Sequence, residues 1–417
     1  MSLVWLDKAC HIKLSAFNFQ LSTSHIKLST LNIKLLNMNK TIIGLALLAS
    51  ATTANAQGEG TLRIKGQLTG FTDTVLVMRP ATRSLNADTT MVTGNGTFDI
   101  TIKLDKPQQL YLATPGTIRR EQNAAFGVQF IGVPGESVEL TGDPRTRYDI
   151  NGSTFYQQYH EADIAMETAQ KPITDIYNEY RTRLQAGENQ ETLAKELNAK
   201  MEQAQKDYKN AVLNFIRQHP DYEASAAIIQ QLEELGLMEQ AAELLTESVR
   251  QGRMKDFYGK AISAARQAKE AEERAAKLQA TGVEAPDFTL NDINGKPLSL
   301  SSLRGKHVVL DFWGSWCGWC IKGMPQMKEY YAKYKDKLEI LGIDCNDTEE
   351  KWKAAVEKHQ LPWLHVYNPR GSQDDVCAKY GIQGFPTKIL VGPDGKIVKT
   401  VVGEDPEFYT LLDSLFK

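Results

Sequence analysis

The sequence is expected to fold in three parts: a small antiparallel β domain, then an α-helical segment, then a C-terminal α/β domain built on a mixed sheet. Three patterns lead to this. Between Thr61 and about Thr141, apolar and polar residues alternate with a period of two, and turn residues separate the runs. From about Ser153 to Ala280 the sequence shifts to Ala, Glu, Gln, Lys and Leu at helical spacing. After Thr281-Gly282, strand-like and helix-like runs alternate and end in a hairpin, the pattern of a sheet covered by helices. A length of 417 residues allows two or three such domains, each with its own core. The 24% charged content is ordinary for globular protein and excludes a wholly disordered chain, and a net charge of -3 gives no global reason to expect nucleic acid as a partner.

The first 56 residues read as a leader. Ile42 to Ala49 is apolar over less than half of the roughly 20 residues a bilayer span needs. It follows Met38-Asn39-Lys40 and precedes Ala54-Asn55-Ala56, which together make the basic start, short apolar middle and small-residue cleavage site of a secretory signal peptide over 38–56. Residues 1–37 repeat His11-Ile12-Lys13-Leu14-Ser15 as His25-Ile26-Lys27-Leu28-Ser29 without a sustained period, and read as an extension upstream of a true start at Met38. Cys10 leaves with the leader. The exported chain then works in the periplasm or cell envelope, where a thiol pair is oxidised unless something reduces it.

Residues 57–150 form the β domain, with strands expected at Leu62–Gly66, Thr74–Met78, Thr97–Ile102 and Ser137–Leu140 and turns at Gly94-Asn95-Gly96 and Pro134-Gly135. It carries no His/Cys/carboxylate cluster and no phosphate loop, which leaves binding, docking or spacing as its role. Residues 151–280 should be helices broken at Lys171-Pro172, Ala186-Gly187, His219-Pro220 and Gly252. Ala261 to Leu278 is charged with a thin Ala/Leu face, as a solvated helix is. Tyr156, Tyr159, Tyr177 and Tyr180 read as core or interhelix contacts.

Residues 281–417 carry the chemistry. Val308–Phe312 is a buried-type strand, a helix runs from Cys317 to about Tyr334, and Leu338–Ile343 is a second strand. A helix at Thr348–Lys358, a strand at Leu364–Tyr367 and a helix across Val376–Tyr380 follow. Strands Lys388–Val391 and Ile397–Val402 join through Pro393-Asp394-Gly395, and a last helix closes at Phe416. Cys317 and Cys320 therefore sit where a strand turns into a helix. Free N–H groups and the positive end of the helix dipole stabilise a thiolate there, so Cys317 should be the exposed, low-pKa nucleophile and Cys320 the resolving thiol one turn on. Structural zinc needs four ligands, and Cys345 and Cys377 are isolated. No metal and no cofactor beyond the redox-active Cys317–Cys320 disulfide is expected.

Asp311-Phe312-Trp313 before Trp316-Cys317-Gly318-Trp319-Cys320, with Tyr380-Gly381-Ile382-Gln383-Gly384-Phe385-Pro386-Thr387 far downstream, resembles the thioredoxin fold. The opening Ala285-Pro286-Asp287-Phe288-Thr289-Leu290, Leu303-Arg304-Gly305-Lys306 and the extra helix and strand between Thr348 and Tyr367 are similar to its TlpA/ResA branch, across about residues 281–417. More loosely, the preceding β and helical parts resemble the N-terminal region of Bacteroidetes-type TlpA-like proteins. The resemblance implies that Cys317 attacks and Cys320 resolves. It makes Asp311 the buried acid that moves the Cys320 proton, and Pro386 the cis-proline beside the disulfide. Trp316 becomes an aromatic lid, and Gly318, Trp319 and Phe385 join it in the substrate-binding surface.

The same resemblance implies a protein-disulfide reductase with client proteins bearing disulfides or thiols, a membrane-bound thiol electron donor, and a place in cytochrome c-type biogenesis. It sets Cys345 and Cys377 beside the loop to Pro386, either as a second disulfide or as two small buried side chains. Two departures stand out. Many members carry a Glu two or three positions after the second Cys, where this chain has Ile321-Lys322-Gly323-Met324-Pro325, and the intervening Gly318-Trp319 leaves the reduction potential open. The opening also resembles peroxiredoxins, but these place Thr three positions before the reactive Cys, and here Gly314 stands there. A thiol peroxidase and a non-catalytic envelope binding protein are the competing readings.

Overall fold

The computed structural model describes residues 60–417 other than 80–87, 94, 120, 122–123, 125, 370 and 372–374; the expected leader over 1–56, with its signal peptide and Cys10, lies outside them. The chain divides into two compact units at Ser263/Ala264. Among the described residues no helix is long and apolar enough to cross a membrane.

The unit before Ala264 begins with β1 (Thr61–Leu68), β2 (Thr74–Met78), β3 (Asp88–Met91), β4 (Thr97–Lys103), β5 (Gln108–Ala113), α1 (Pro115–Arg119), β6 (Val128–Gly132), β7 (Ser137–Asp143) and β8 (Arg147–Gly152). They make two four-stranded sheets, β4-β1-β7-β8 and β3-β2-β5-β6. Every pairing is antiparallel except β1 with β7, which run parallel. In β1 the alternation expected from the sequence places Leu62, Ile64 and Leu68 in the core.

The helices α2 (Thr154–Gln185), α3 (Gln190–Gln218), α4 (Glu223–Ile228), α5 (Leu235–Leu244), α6 (Glu247–Arg250) and α7 (Lys255–Leu278) follow. The break expected at Lys171-Pro172 does not occur, because α2 runs through Pro172. An internal proline costs about 3 kcal/mol, and Ile173, Ile176 and Tyr180 beyond it pack on Ala194 and Met201 of α3, which holds the helix on course. Tyr156 is buried and its hydroxyl donates to the Ile131 carbonyl at 2.8 Å, while Tyr159 stacks on Phe155.

In the second unit, β9 (Thr289–Asn291) and β10 (Pro297–Ser299) form a hairpin. Then come β11 (His307–Trp313), α8 (Gly318–Tyr334), β12 (Leu338–Cys345), α9 (Glu349–Lys358), β13 (Leu364–Asn368), α10 (Val376–Tyr380), β14 (Thr387–Val391), β15 (Ile397–Val402) and α11 (Pro406–Phe416). The sheet order is β13-β12-β11-β14-β15. β11, β12 and β13 are parallel; β14 adds antiparallel to β11, and β15 antiparallel to β14.

Because side chains alternate along a strand, each strand feeds two cores. Val309 and Trp313 of β11, Ile340 of β12 and Leu390 of β14 join Met324, Met327, Phe408, Cys317 and Cys320 on one face. Val308, Leu310 and Phe312 of β11, Ile343 and Cys345 of β12 and Ile389 of β14 join Phe288, Val376 and Tyr380 on the other. Position 311 thus shares its face with the Cys317–Cys320 end of α8, and position 345 does not.

Candidate active site

Cys317 and Cys320 are joined as a disulfide, with Cα atoms 5.3 Å apart. Cys317 is the N-cap of α8, and its Sγ accepts a hydrogen bond from the Cys320 N–H at 3.2 Å. A free helix-end donor aimed at this sulfur favours its thiolate once the bond is reduced. The expected exposure of Cys317 is not found. Each cysteine is 5% exposed, because the bonded sulfurs cover each other and both belong to the apolar cluster with Trp313 and Met324. Position at the helix end, rather than access, distinguishes the two.

The turn from β11 into α8 is held from the end of β12. Ser315 donates both its N–H and its hydroxyl to the Asp347 carboxylate, at 2.6 and 2.7 Å. The Trp316 indole N–H donates to the Cys345 carbonyl at 2.9 Å. Gly314 makes room for this, since a Cβ there would stand 2.4 Å from the indole nitrogen and 2.8 Å from that carbonyl. The indole face stays in solvent, with Trp316 52% and Trp319 45% exposed. Trp316 meets Phe385 edge to face, ring centres 5.2 Å apart, and the Phe385–Pro386 peptide is cis. Gly318 is exposed, with open space where a Cβ would point. Trp316, Gly318 and Trp319 therefore surround the disulfide with open, largely aromatic surface, and Phe385 closes one side of it. Lys322 lies over the Trp319 ring at 4.7 Å.

Behind the disulfide, Asp311 is buried on β11 directly opposite Lys388 of β14. Burial pushes its carboxyl up to about 6, with Lys388 opposing the rise and Glu404 adding to it. Lys388 is itself buried and pairs with Glu404 at 2.7 Å. Glu404 follows β15 and reaches α8 at Gly323, where its Oε1 lies 2.2 Å from the point a Cβ would take. A carboxylate, which the sequence lacks directly after Cys320, thus stands at that place, brought there by a residue 81 positions later in the chain than Gly323.

Sequence reasoning missed Lys388, Glu404, Asp347 and Ser315. The signal for Lys388 was present, as a lone cation in the buried run Thr387–Val391. Glu404 and Asp347 lie in loops and gave none. Cys345 and Cys377 are free thiols whose Sγ atoms stand 2.7 Å apart.

Residues 281–400 match the AhpC/TSA family. The chain is 40% identical over 124 residues to thiol-disulfide oxidoreductase ResA of Bacillus cereus, a match covering 30% of this chain and 70% of that protein. It is 34% identical over 123 residues to ResA of Bacillus subtilis, covering 29% and 67%. Among solved structures, the thioredoxin domain of a thiol-disulfide oxidoreductase from Bacteroides vulgatus is 37% identical, covers 33% of this chain and 99% of its own, and superposes with a TM-score of 0.31. With a cysteine pair at the strand-to-helix turn, a buried acid on the same sheet face and the two ResA relatives, the chain belongs to the ResA-like thiol-disulfide oxidoreductases, its C-terminal part, which carries the AhpC/TSA match, built on the thioredoxin fold.

Proposed function

We propose that this protein is exported to the periplasm or cell envelope and reduces disulfides of client proteins through the Cys317–Cys320 pair. The observation that carries the reading is the asymmetry of the pair. Cys317 caps α8 with an N–H aimed at its sulfur, and a buried acid held near 6 stands on the same sheet face. In the reduced protein the Cys317 thiolate attacks one client sulfur, expels the other as a thiolate, and forms a mixed disulfide. Asp311 as carboxylate accepts the Cys320 proton, and Cys320 attacks the Cys317 sulfur. The client leaves with both sulfurs reduced, and the protein is left in the disulfide form. Pro386, Phe385, Trp316, Gly318 and Trp319 form the surface on which the client segment lies.

A membrane-bound thiol donor restores the dithiol by the same exchange in reverse. Envelope clients with closely spaced cysteines, apocytochromes among them, suit a reductase in this compartment, and the apolar Ile42–Ala49 leader supports export. Insulin reduction tests the reading. The chain should precipitate insulin in the presence of dithiothreitol, and Cys317→Ser should abolish this. Consumption of hydrogen peroxide without insulin reduction would replace the reductase with a peroxidase. Cys320→Ser should trap clients as mixed disulfides on Cys317.

A further inference from the structure

Cys345 and Cys377 lie on the opposite face of the sheet from Cys317–Cys320. Cys345 ends β12 inside the core formed with Ile343 and Val376, and Cys377, half-buried at the start of α10, packs against the same core. Their Sγ···Sγ distance of 2.7 Å is well under an ångström longer than a disulfide bond, about 2.05 Å. Asn368, the register partner of Cys345 on β13, holds the second thiol in place. Its side-chain oxygen accepts from the Val376 N–H at 2.9 Å, and its amide donates to Asp375 at 3.0 Å and to the Cys377 sulfur at 3.4 Å. Asp375 in turn accepts from the Cys377 N–H at 3.0 Å. The strand end and the helix start are thus held together by hydrogen bonds that do not involve a sulfur–sulfur bond, and closing that bond asks for little movement.

We infer that Cys345 and Cys377 are a second thiol–disulfide couple, oxidised by low-molecular-weight disulfides that enter at Cys377. Cys377 is the accessible member and has a donor on its sulfur; burial pushes the Cys345 thiol up, so it does not attack first. The Cys377 thiol gives its proton to the departing group and bonds to one sulfur of the small disulfide, releasing one small thiol. Cys345 then attacks the Cys377 sulfur of that mixed disulfide, its proton leaving with the second small thiol. Two protein thiols and one small disulfide become one protein disulfide and two small thiols. The new bond would tie together the two walls of the client surface. The carbonyl of Cys345 holds the Trp316 indole, and the chain beyond Cys377 runs to Phe385 and Pro386.

The test uses the full chain carrying Cys317→Ser and Cys320→Ser, so its outcome is independent of the reductase reading. The reduced protein is incubated with oxidised glutathione, alkylated and mapped without reduction. Joined Cys345 and Cys377 peptides, with alkylation of both thiols lowered at least tenfold, are expected. A glutathione adduct persisting on Cys377, unimpaired alkylation of either thiol, or linkage of either to another cysteine would overturn the inference. The unsubstituted chain, oxidised and mapped in the same way, guards against misfolding of the variant and should yield the Cys345–Cys377 and Cys317–Cys320 links as separate species; alkylated Cys377 in that sample would also overturn it.

Discussion

Cys317 and Cys320 are equally covered in the disulfide form, so the difference expected in their reactivity is assigned to the helix end rather than to access. After mild reduction at neutral pH, Cys317 should alkylate about tenfold or more faster than Cys320, since one pKa unit lowered by a helix N-terminus is a factor of ten in thiolate fraction. Equal rates would contradict the assignment. Asp311 allows a second prediction. With its carboxyl pushed up to about 6, the resolving step should quicken as pH rises through 6, and Asp311→Asn should slow it by roughly 100-fold and erase that limb, within the usual range for a positioned base. Stability moves the other way. An acid with a raised folded-state pKa contributes stability that is complete below about pH 4 and is lost as pH rises through 6. Asp311→Asn should therefore match the parent in urea melts at pH 4 and exceed it at pH 8, by an amount on the order of 3 kcal/mol. A variant no more stable than the parent at pH 8 would show that burial does not govern this carboxyl.

At the scale of elements, β11, β14 and α8 make the site by bringing three distant segments together. Gly323 is the tightest point of that arrangement, and Gly323→Ala should drive Glu404 away from α8 and weaken its pair with Lys388. A loss of about 1–3 kcal/mol in denaturant melts is expected for such overpacking, and Glu404→Ala should cost more than Gly323→Ala, because it leaves the buried Lys388 without this carboxylate. A Gly323→Ala chain as stable as the parent would place Glu404 elsewhere. The strands β11 to β15 and the helices of residues 281–417 were legible in the sequence because buried parallel strands read as apolar runs and helices as 3.6-residue periods, whereas the short strands β9 and β10 were not read. The Cys317–Cys320 pair and Asp311 were legible for the same reason, each fixed to the end or the middle of a clear element. β3, β5, β6 and β8 were not read; β3 and β8 have at most one fully buried position each and show no clean alternation. The parallel pairing of β1 with β7 joins strands about 75 residues apart, a register that local pattern does not encode. Pro172 misled because packing against α3 overrides a local breaker. The Lys388–Glu404 pair was hidden because it depends on where a loop folds back.

For the whole molecule, the dithiol pair belongs to the unit after Ser263, and the proposed client surface is made of that unit's exposed indoles. Trp316→Ala should raise the KM for insulin several-fold while leaving reduction of a small disulfide within about twofold, because aromatic contacts bind extended protein segments more than they assist exchange at sulfur. Parallel losses on both substrates would make Trp316 part of the exchange machinery instead. The direction of electron flow is the central claim, and the local charge adds its support to the asymmetry of the pair. The Gly318-Trp319 dipeptide places no cation between the two sulfurs, so the dithiol lacks the stabilisation that makes a disulfide strongly oxidising. The most direct test is the reduction potential of the Cys317–Cys320 pair by equilibration against glutathione, with the Cys345→Ser and Cys377→Ser substitutions removing the other thiols of this unit. A value near that of thioredoxin, about -270 mV, is predicted, so that the pair stays oxidised in most glutathione mixtures and is a strong reductant once loaded. A value near -120 mV, with the pair remaining reduced in the same mixtures, would contradict the reductase and make the protein an oxidant of its clients.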